Sequence, residues 1–262
     1  MRTARVKYQG QIYQVEVEAD LSVLLPTGQH LHEHELTWLA PSTGTLYALG
    51  LNYIDHAREL EFSPPQEPLI FVKANNTLIG HNQHTWRPDD VLYMHYECEL
   101  VVVIGKVAKY VRREEAMSYI AGYSICNDYT IRDYLENYYR PNLRVKNRYA
   151  STPIGPYIIE QRALSKPYAL TLKTWVNGVL RQQGSTAEMI FDVPYLIEYL
   201  SSFLTLSPGD MIATGSPQGL CNVVAGDEVV VEIEGIGHLR NTLISEREFL
   251  AGEQSHAWQA PF

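Results

Sequence analysis

The stretch that most constrains this chain is His95-Tyr96-Glu97-Cys98-Glu99-Leu100-Val101-Val102-Val103-Ile104-Gly105. Residues i and i+2 of a strand share a face, so Glu97 and Glu99 project together, in line with Val101 and Val103. Cys98, Leu100, Val102 and Ile104 line the opposite face. Past Glu99 both faces are apolar, which predicts a strand inside the protein with structure packed on each side. Two neighbouring carboxylates are costly in such a place unless positive charge compensates them, and one divalent cation does so. The alternative is an edge strand whose glutamates face water, the usual setting for glutamate.

The 262 residues suffice for one large domain or a small-plus-large pair. From Arg5 to Val17 apolar and polar residues alternate around Gln9-Gly10-Gln11, which predicts a β-hairpin. We therefore expect a small N-terminal β domain over residues 1–45 and a catalytic domain over 46–262. Short β-branched runs follow at 69–73, 100–105, 157–159, 170–176, 211–214 and 228–233, punctuated by Pro208-Gly209-Asp210 and Gly226-Asp227 turns. Helices are expected over 52–60, over 112–119, after Asn127 and over 193–204, the last with Pro194 in its first turn. Strand and helix do not alternate regularly, so the pattern predicts a β-rich α+β fold and disfavours a doubly wound α/β sheet.

Thirty acidic against 21 basic residues give a formal charge of −9, with no dominating basic run, which argues against a nucleic-acid partner. Cys98, Cys126 and Cys221 are an odd count without C-x-x-C spacing, so neither a disulfide framework nor a cysteine zinc site is indicated. The N-terminus lacks the apolar core of a signal peptide, and no apolar run approaches the ~18 residues of a membrane span. A cytoplasmic protein without membrane partners is the expectation.

Asp128 ends the apolar run Ser124-Ile125-Cys126-Asn127 and offers a third oxygen ligand. Glu97, Glu99 and Asp128, without cysteine or histidine companions, favour a hard ion, Mg²⁺ or Mn²⁺, and leave coordination positions for water and substrate. Arg132, Arg140, Arg144, Lys146 and Arg148 then concentrate positive charge in an acidic chain, as an anionic small substrate requires. The competing explanation for these is a solvated helix and loop. His56 and Glu59, three residues apart on one helix face, can relay a proton. The turn Thr214-Gly215-Ser216-Pro217-Gln218-Gly219 lacks the spacing of a nucleophile elbow but can offer backbone N–H groups to a carboxylate. Gly235-Ile236-Gly237 lacks the third glycine of a dinucleotide fingerprint.

Taken jointly, G-x-N-Y-x-D-H-x-x-E at 50–59, E-C-E at 97–99, N-D-Y-T-I-R-D at 127–133, Lys146, T-P-x-G-P at 152–156, V-N-G at 176–178 and L-x-P-G-D-M-I-A-T-G-S-P-x-G at 206–219 resemble the fumarylacetoacetate hydrolase family. The segments at 93–100 and 132–148 are similar to its subgroup of decarboxylases and isomerases of homoprotocatechuate (4-hydroxyphenylacetate) meta-cleavage. Leu135 and Tyr149 stand where many members carry glutamine and aspartate, and Leu135 agrees with that subgroup. The resemblance implies a mixed β-roll or barrel body, Mg²⁺ or Mn²⁺ on Glu97, Glu99 and Asp128, and a homodimer or a similar partner subunit.

It also implies decarboxylation of 5-oxopent-3-ene-1,2,5-tricarboxylate, isomerisation of 2-hydroxyhepta-2,4-diene-1,7-dioate, or both, through an enolate stabilised at the ion. Within that reading His56, Glu59 and Lys146 are the catalytic candidates. Lys73, Arg132, Thr214, Arg140 and Arg144 are the substrate-binding candidates. Acylpyruvate hydrolysis, decarboxylation of a small 2-oxo acid such as oxaloacetate, and a non-catalytic partner subunit stay open at this point.

Overall fold

The computed structural model describes residues 1–135, 143–164 and 168–254. Arg140 lies outside the described residues. Gln9 and Gly10 take φ of 47° and 82°, the two left-handed positions of a type I′ turn, and join strands Arg2–Tyr8 and Gln11–Glu16. Arg2–Tyr8 also pairs with Thr152–Glu160, so the hairpin is hydrogen-bonded into the main sheet.

That sheet has ten strands. Its path runs Gln11–Glu16, Arg2–Tyr8, Thr152–Glu160, Ile120–Asn127, Cys98–Ile104, Met211–Ala213, Leu46–Gly50, Leu69–Lys73. Among the described residues it stays open, without closing into a barrel. A second sheet of five strands follows the order Val179–Ser185, Thr171–Val176, Glu228–Ile233, Gly237–Ser245, His84–Arg87. The Gly235-Ile236-Gly237 motif is part of the hairpin joining Glu228–Ile233 to Gly237–Ser245.

Cys98–Ile104 is an interior strand, buried at every residue, between Ile120–Asn127 and Met211–Ala213. Leu100, Val102 and Ile104 join the larger core with Leu172, Val231 and Leu239 of the second sheet. Val101 and Val103 join Leu46, Cys126, Ile154 and Met211 in a smaller core on the other face. At about 1.5–3 kcal/mol per fully buried aliphatic side chain, this two-sided packing outweighs the cost of keeping the strand's carboxylate end inside. The edge-strand alternative is excluded.

The helix Ile54–Glu59 (α1) and the helix Val193–Phe203 form where expected, the latter capped by Asp192, whose side chain accepts the Tyr195 N–H at 2.9 Å. Residues Arg113–Tyr119 make a 3₁₀ rather than an α-helix. The expected helix directly after Asn127 does not form. Asp128 instead donates its N–H to the Glu97 carbonyl, and Thr130–Ile131 pairs with Met94–His95, so the sheet ladder claims the backbone groups a helix would need. No helix among the described residues is long and apolar enough to cross a membrane.

Away from the carboxylates, His81 is fully buried. Its Nδ1 accepts the Arg240 N–H at 3.1 Å, which leaves the proton on Nε2, 3.3 Å from Glu33 Oε2. Burial drives its pKa down to about 4, Glu33 opposing and His238 adding to the shift. The unfolded chain therefore binds the extra proton first, and stability falls as pH drops from about 6.5 to about 4, by on the order of 3 kcal/mol. We expect His81→Asn, which retains an acceptor for Arg240, to flatten this acid limb. Urea unfolding at pH 7 and pH 4 checks it, and an unchanged acid loss rejects the assignment.

Candidate metal centre

The pairing register builds the centre. Glu99 stands opposite Cys126 on the neighbouring strand, and the Asp128 N–H donates to the Glu97 carbonyl at 2.9 Å, continuing the ladder past its end. Directly opposed residues share a face, so Glu97, Glu99 and Asp128 converge on the face of the smaller core. All three are buried, and one oxygen from each lies within 4.8 Å of the others. Octahedral ligands about 2.1 Å from an ion sit about 3 Å from their neighbours, so small side-chain rotations close this set on a cation.

The donor set fits a hard divalent ion. Glu99 Oε2 accepts the Gly215 N–H at 2.8 Å, but its Oε1 is buried with no hydrogen-bond partner among the described residues. Burial, reinforced by Asp128 and Glu97, pushes the Glu99 carboxyl well above its usual range. A cation at the common point of the three carboxylates relieves both the burial penalty and the repulsion. Glu97 behaves differently: burial opposes ionisation, but Lys146, His95 and Arg132 together hold it far below the usual range.

Two buried lysines press on the same carboxylates. Lys146, from the short helix Leu143–Lys146 (α2), places Nζ 2.5 Å from Glu97 Oε2 and 2.8 Å from Asp128 Oδ2. Lys73, at the end of strand Leu69–Lys73, donates to Asp128 Oδ1 at 2.5 Å and to the Lys146 carbonyl. Burial lowers the Lys73 pKa despite Asp128, whereas around Lys146 it is outweighed by Asp128, Glu97 and Glu99, which hold that lysine above its usual value. Neither lysine forms an ion pair with Glu99 among the described residues.

Arg132 donates from Nη2 to Glu97 Oε1 at 3.3 Å and from Nε to His95 Nε2 at 2.5 Å. His95 Nδ1 faces the Tyr96 carbonyl at 3.1 Å, which places its proton there and leaves Nε2 as the acceptor. Burial pushes His95 down to about 3, against the pull of Glu97, so the ring stays neutral and aims the guanidinium. Sequence reasoning assigned His95 no role, although its i−2 spacing from Glu97 put it on the same strand face.

On α1, His56 Nδ1 lies 3.2 Å from Glu59 Oε2, and Glu59 Oε1 accepts the Gly219 and Leu220 N–H groups at 2.9 and 3.1 Å. Burial raises the Glu59 pKa, but His56 and these two amides bring it below its usual value. The turn at 214–219 thus gives its amides to the chain's own carboxylates, Glu99 and Glu59. Asn52, also unassigned from sequence, donates to the Phe191 and Thr214 carbonyls at 3.1 and 2.8 Å and clamps α1 to this turn.

Other candidates lie differently. The Thr214 hydroxyl donates to the Leu100 carbonyl at 3.1 Å. Arg144 is exposed, its guanidinium 3.8 Å from the centre of the Tyr134 ring, and Arg148 lies 4.2 Å over Trp86. Arg144 makes no ion pair with the three carboxylates among the described residues.

A β-rich fold with three buried carboxylates on adjoining strands defines the chain first as a candidate divalent-cation protein. It belongs to the fumarylacetoacetate (FAA) hydrolase family, whose C-terminal profile matches residues 45–244. It is 64% identical over 210 residues to the 4-hydroxyphenylacetate degradation bifunctional isomerase/decarboxylase of Salmonella dublin, covering 80% of this chain and 49% of that protein. The chain thus spans about half the length of this curated relative. Among solved structures it is similar to 2-hydroxyhepta-2,4-diene-1,7-dioate isomerase from Mycobacterium marinum, at a TM-score of 0.80 and 30% identity over 94% of this chain and 99% of that one. It is also similar to maleylpyruvate hydrolase from Sphingobium sp. SYK-6 in complex with manganese(II) and pyruvate, at a TM-score of 0.78 and 25% identity, covering 94% of this chain and 99% of that one.

Proposed function

We propose that this chain holds Mg²⁺ or Mn²⁺ on Glu97, Glu99 and Asp128. With it, the chain decarboxylates 5-oxopent-3-ene-1,2,5-tricarboxylate, isomerises 2-hydroxyhepta-2,4-diene-1,7-dioate to 2-oxohept-3-ene-1,7-dioate, or does both. The observation that carries the reading is the convergence of three buried carboxylates, two buried lysines and Arg132, with the His56–Glu59 pair in the same neighbourhood. The activities for which the Salmonella and Mycobacterium marinum proteins are named support the substrate class.

The bound ion supplies positive charge against which negative charge developing on a 2-oxo acid is stabilised. Lys146, Lys73 and Arg132 bind and orient the anionic substrate, and the burial of the two lysines excludes the water that would weaken their contacts. In decarboxylation the bond between C2 of the tricarboxylate and its carboxylate breaks, CO₂ leaves, and the electron pair is delocalised through the alkene onto the 5-oxo oxygen as a dienolate. The former C2 and C5 thereby become C5 and C2 of the heptadienedioate. Isomerisation reaches the same dienolate by loss of the 2-hydroxyl proton. In both, return of a proton to C5 gives the 2-oxo-3-ene product. His56 Nε2 moves these protons, since Nδ1 is occupied with Glu59. A second copy or a similar subunit completes the functional unit in this reading, given the chain's half-length relation to its relative. The three free thiols accord with a reducing cytoplasm.

Metal-stripped protein given the tricarboxylate is expected to release no CO₂, and to release it when Mg²⁺ or Mn²⁺ is restored. Metal-dependent loss of the dienoate's ultraviolet absorbance without CO₂ marks an isomerase alone. Silence in both assays, or cleavage of an acylpyruvate into two acids, overturns the proposal.

A further inference from the structure

The loop after strand Met211–Ala213 touches both halves of the site. Its Gly215 N–H donates to Glu99 Oε2 at 2.8 Å, and its Gly219 and Leu220 N–H groups donate to Glu59 Oε1. One short segment therefore orients a candidate metal ligand and the carboxylate that fixes the His56 tautomer.

What holds the loop is a side chain outside the site. Gln182, on strand Val179–Ser185, is 2% exposed. Its Nε2 donates to Ser216 Oγ at 2.9 Å and to the Pro217 carbonyl at 2.7 Å, while its Oε1 accepts from Thr174 Oγ1 at 2.7 Å. Both amide protons and the carbonyl oxygen are thus engaged, which leaves the side chain one orientation. The loop also lies hard against that strand: a Cβ on Gly184 would meet Pro217 Cβ at 2.5 Å, so the approach requires glycine. At the far end the Tyr96 hydroxyl donates to the Gly219 carbonyl at 2.7 Å.

We propose that Gln182 is a positioning residue that, through the 215–220 loop, sets the orientations of Glu99 and Glu59 together. The kinetic half of this inference rests on the function proposed above; the metal-binding half does not. Partners that orient metal ligands are typically worth 10–100-fold in affinity or activity. A shared anchor predicts that metal affinity and turnover fall in the same variant.

The test uses Gln182→Met, which keeps length and burial but removes every hydrogen bond, and the milder Ser216→Ala. Mn²⁺ affinity is measured on metal-stripped protein by electron paramagnetic resonance, kcat and KM at saturating Mn²⁺, and Tm alongside. Gln182→Met is expected to weaken Mn²⁺ binding about tenfold and to lower kcat about tenfold or more with KM within about twofold. Ser216→Ala is expected to shift both in the same direction by less. A Tm loss with Mn²⁺ affinity and kcat both within about twofold of the parent overturns the inference. If Gln182→Met does not fold, parental affinity and kcat in Ser216→Ala overturn it. A parent that binds Mn²⁺ but turns over none of the proposed substrates refutes the function, while the Mn²⁺ affinities of the variants still decide the role of Gln182.

Discussion

Glu99→Gln is expected to abolish tight Mn²⁺ binding and to lower turnover by on the order of a thousandfold, while leaving the metal-free protein as stable as the parent or more so. The two effects have opposite signs for one reason. Without a cation, Glu99 is buried beside Asp128 and Glu97, has no partner for its Oε1 among the described residues, and resists ionisation. A glutamine there retains an oxygen for the Gly215 N–H and carries no charge to bury. With a cation the same carboxylate is a ligand, and a bound Lewis acid is worth several kcal/mol at about 1.4 kcal/mol per decade of rate. The pH dependence follows: the folded metal-free protein holds this proton more tightly than the unfolded chain. The Glu99 contribution to stability is therefore greatest in acid and declines as pH rises from about 4.5 toward the raised folded value, opposite in sign to that of His81. Glu99→Gln removes that decline. Calorimetric unfolding of metal-free parent and variant at pH 5 and pH 8, beside Mn²⁺ titrations, checks both. A variant that binds Mn²⁺ like the parent sinks the ligand assignment.

The parts of this site that were legible in the sequence are those that local pattern encodes. Continuous apolarity from Leu100 to Ile104 placed the strand inside, and period-2 alternation put Glu97 and Glu99 on one face. The i,i+3 spacing of His56 and Glu59 likewise anticipated their contact. Register is a different matter. Nothing local says that Asp128 stands across from Glu97, because the pairing depends on where two strands distant in sequence align. The same non-local ladder defeated the helix expected after Asn127. The amide donors of the 214–219 turn were recognised as suited to a carboxylate, but not that the acceptors were Glu99 and Glu59, nor that Leu220 joins them. Gln182 lay in a strand whose composition marks no function, and only the fold brings its amide to the turn.

The largest effect away from the metal ligands is expected at the His56–Glu59 pair, where the choice of substitution separates charge from tautomer. Glu59 Oε1 is committed to the Gly219 and Leu220 amides, so Oε2 takes the His56 Nδ1 proton and leaves Nε2 free to accept one from substrate. In Glu59→Gln the amide oxygen keeps the two backbone donors, and the NH₂ turns toward Nδ1. Donor then faces donor unless the ring proton moves to Nε2, which removes the base. General acid–base catalysis contributes about 10²–10⁴-fold, so Glu59→Gln is expected to lose kcat on that scale, as much as His56→Ala. Glu59→Ala, which imposes no tautomer, is expected to lose less. All three leave Mn²⁺ affinity at the parental value, since neither residue is assigned to the ion, which distinguishes them from Gln182→Met. Nitrogen-15 spectra of the His56 ring report the tautomer directly. If Glu59→Gln retains kcat within about twofold of the parent, proton transfer belongs to another group, and Lys146, already within 2.8 Å of Asp128, is the next to test.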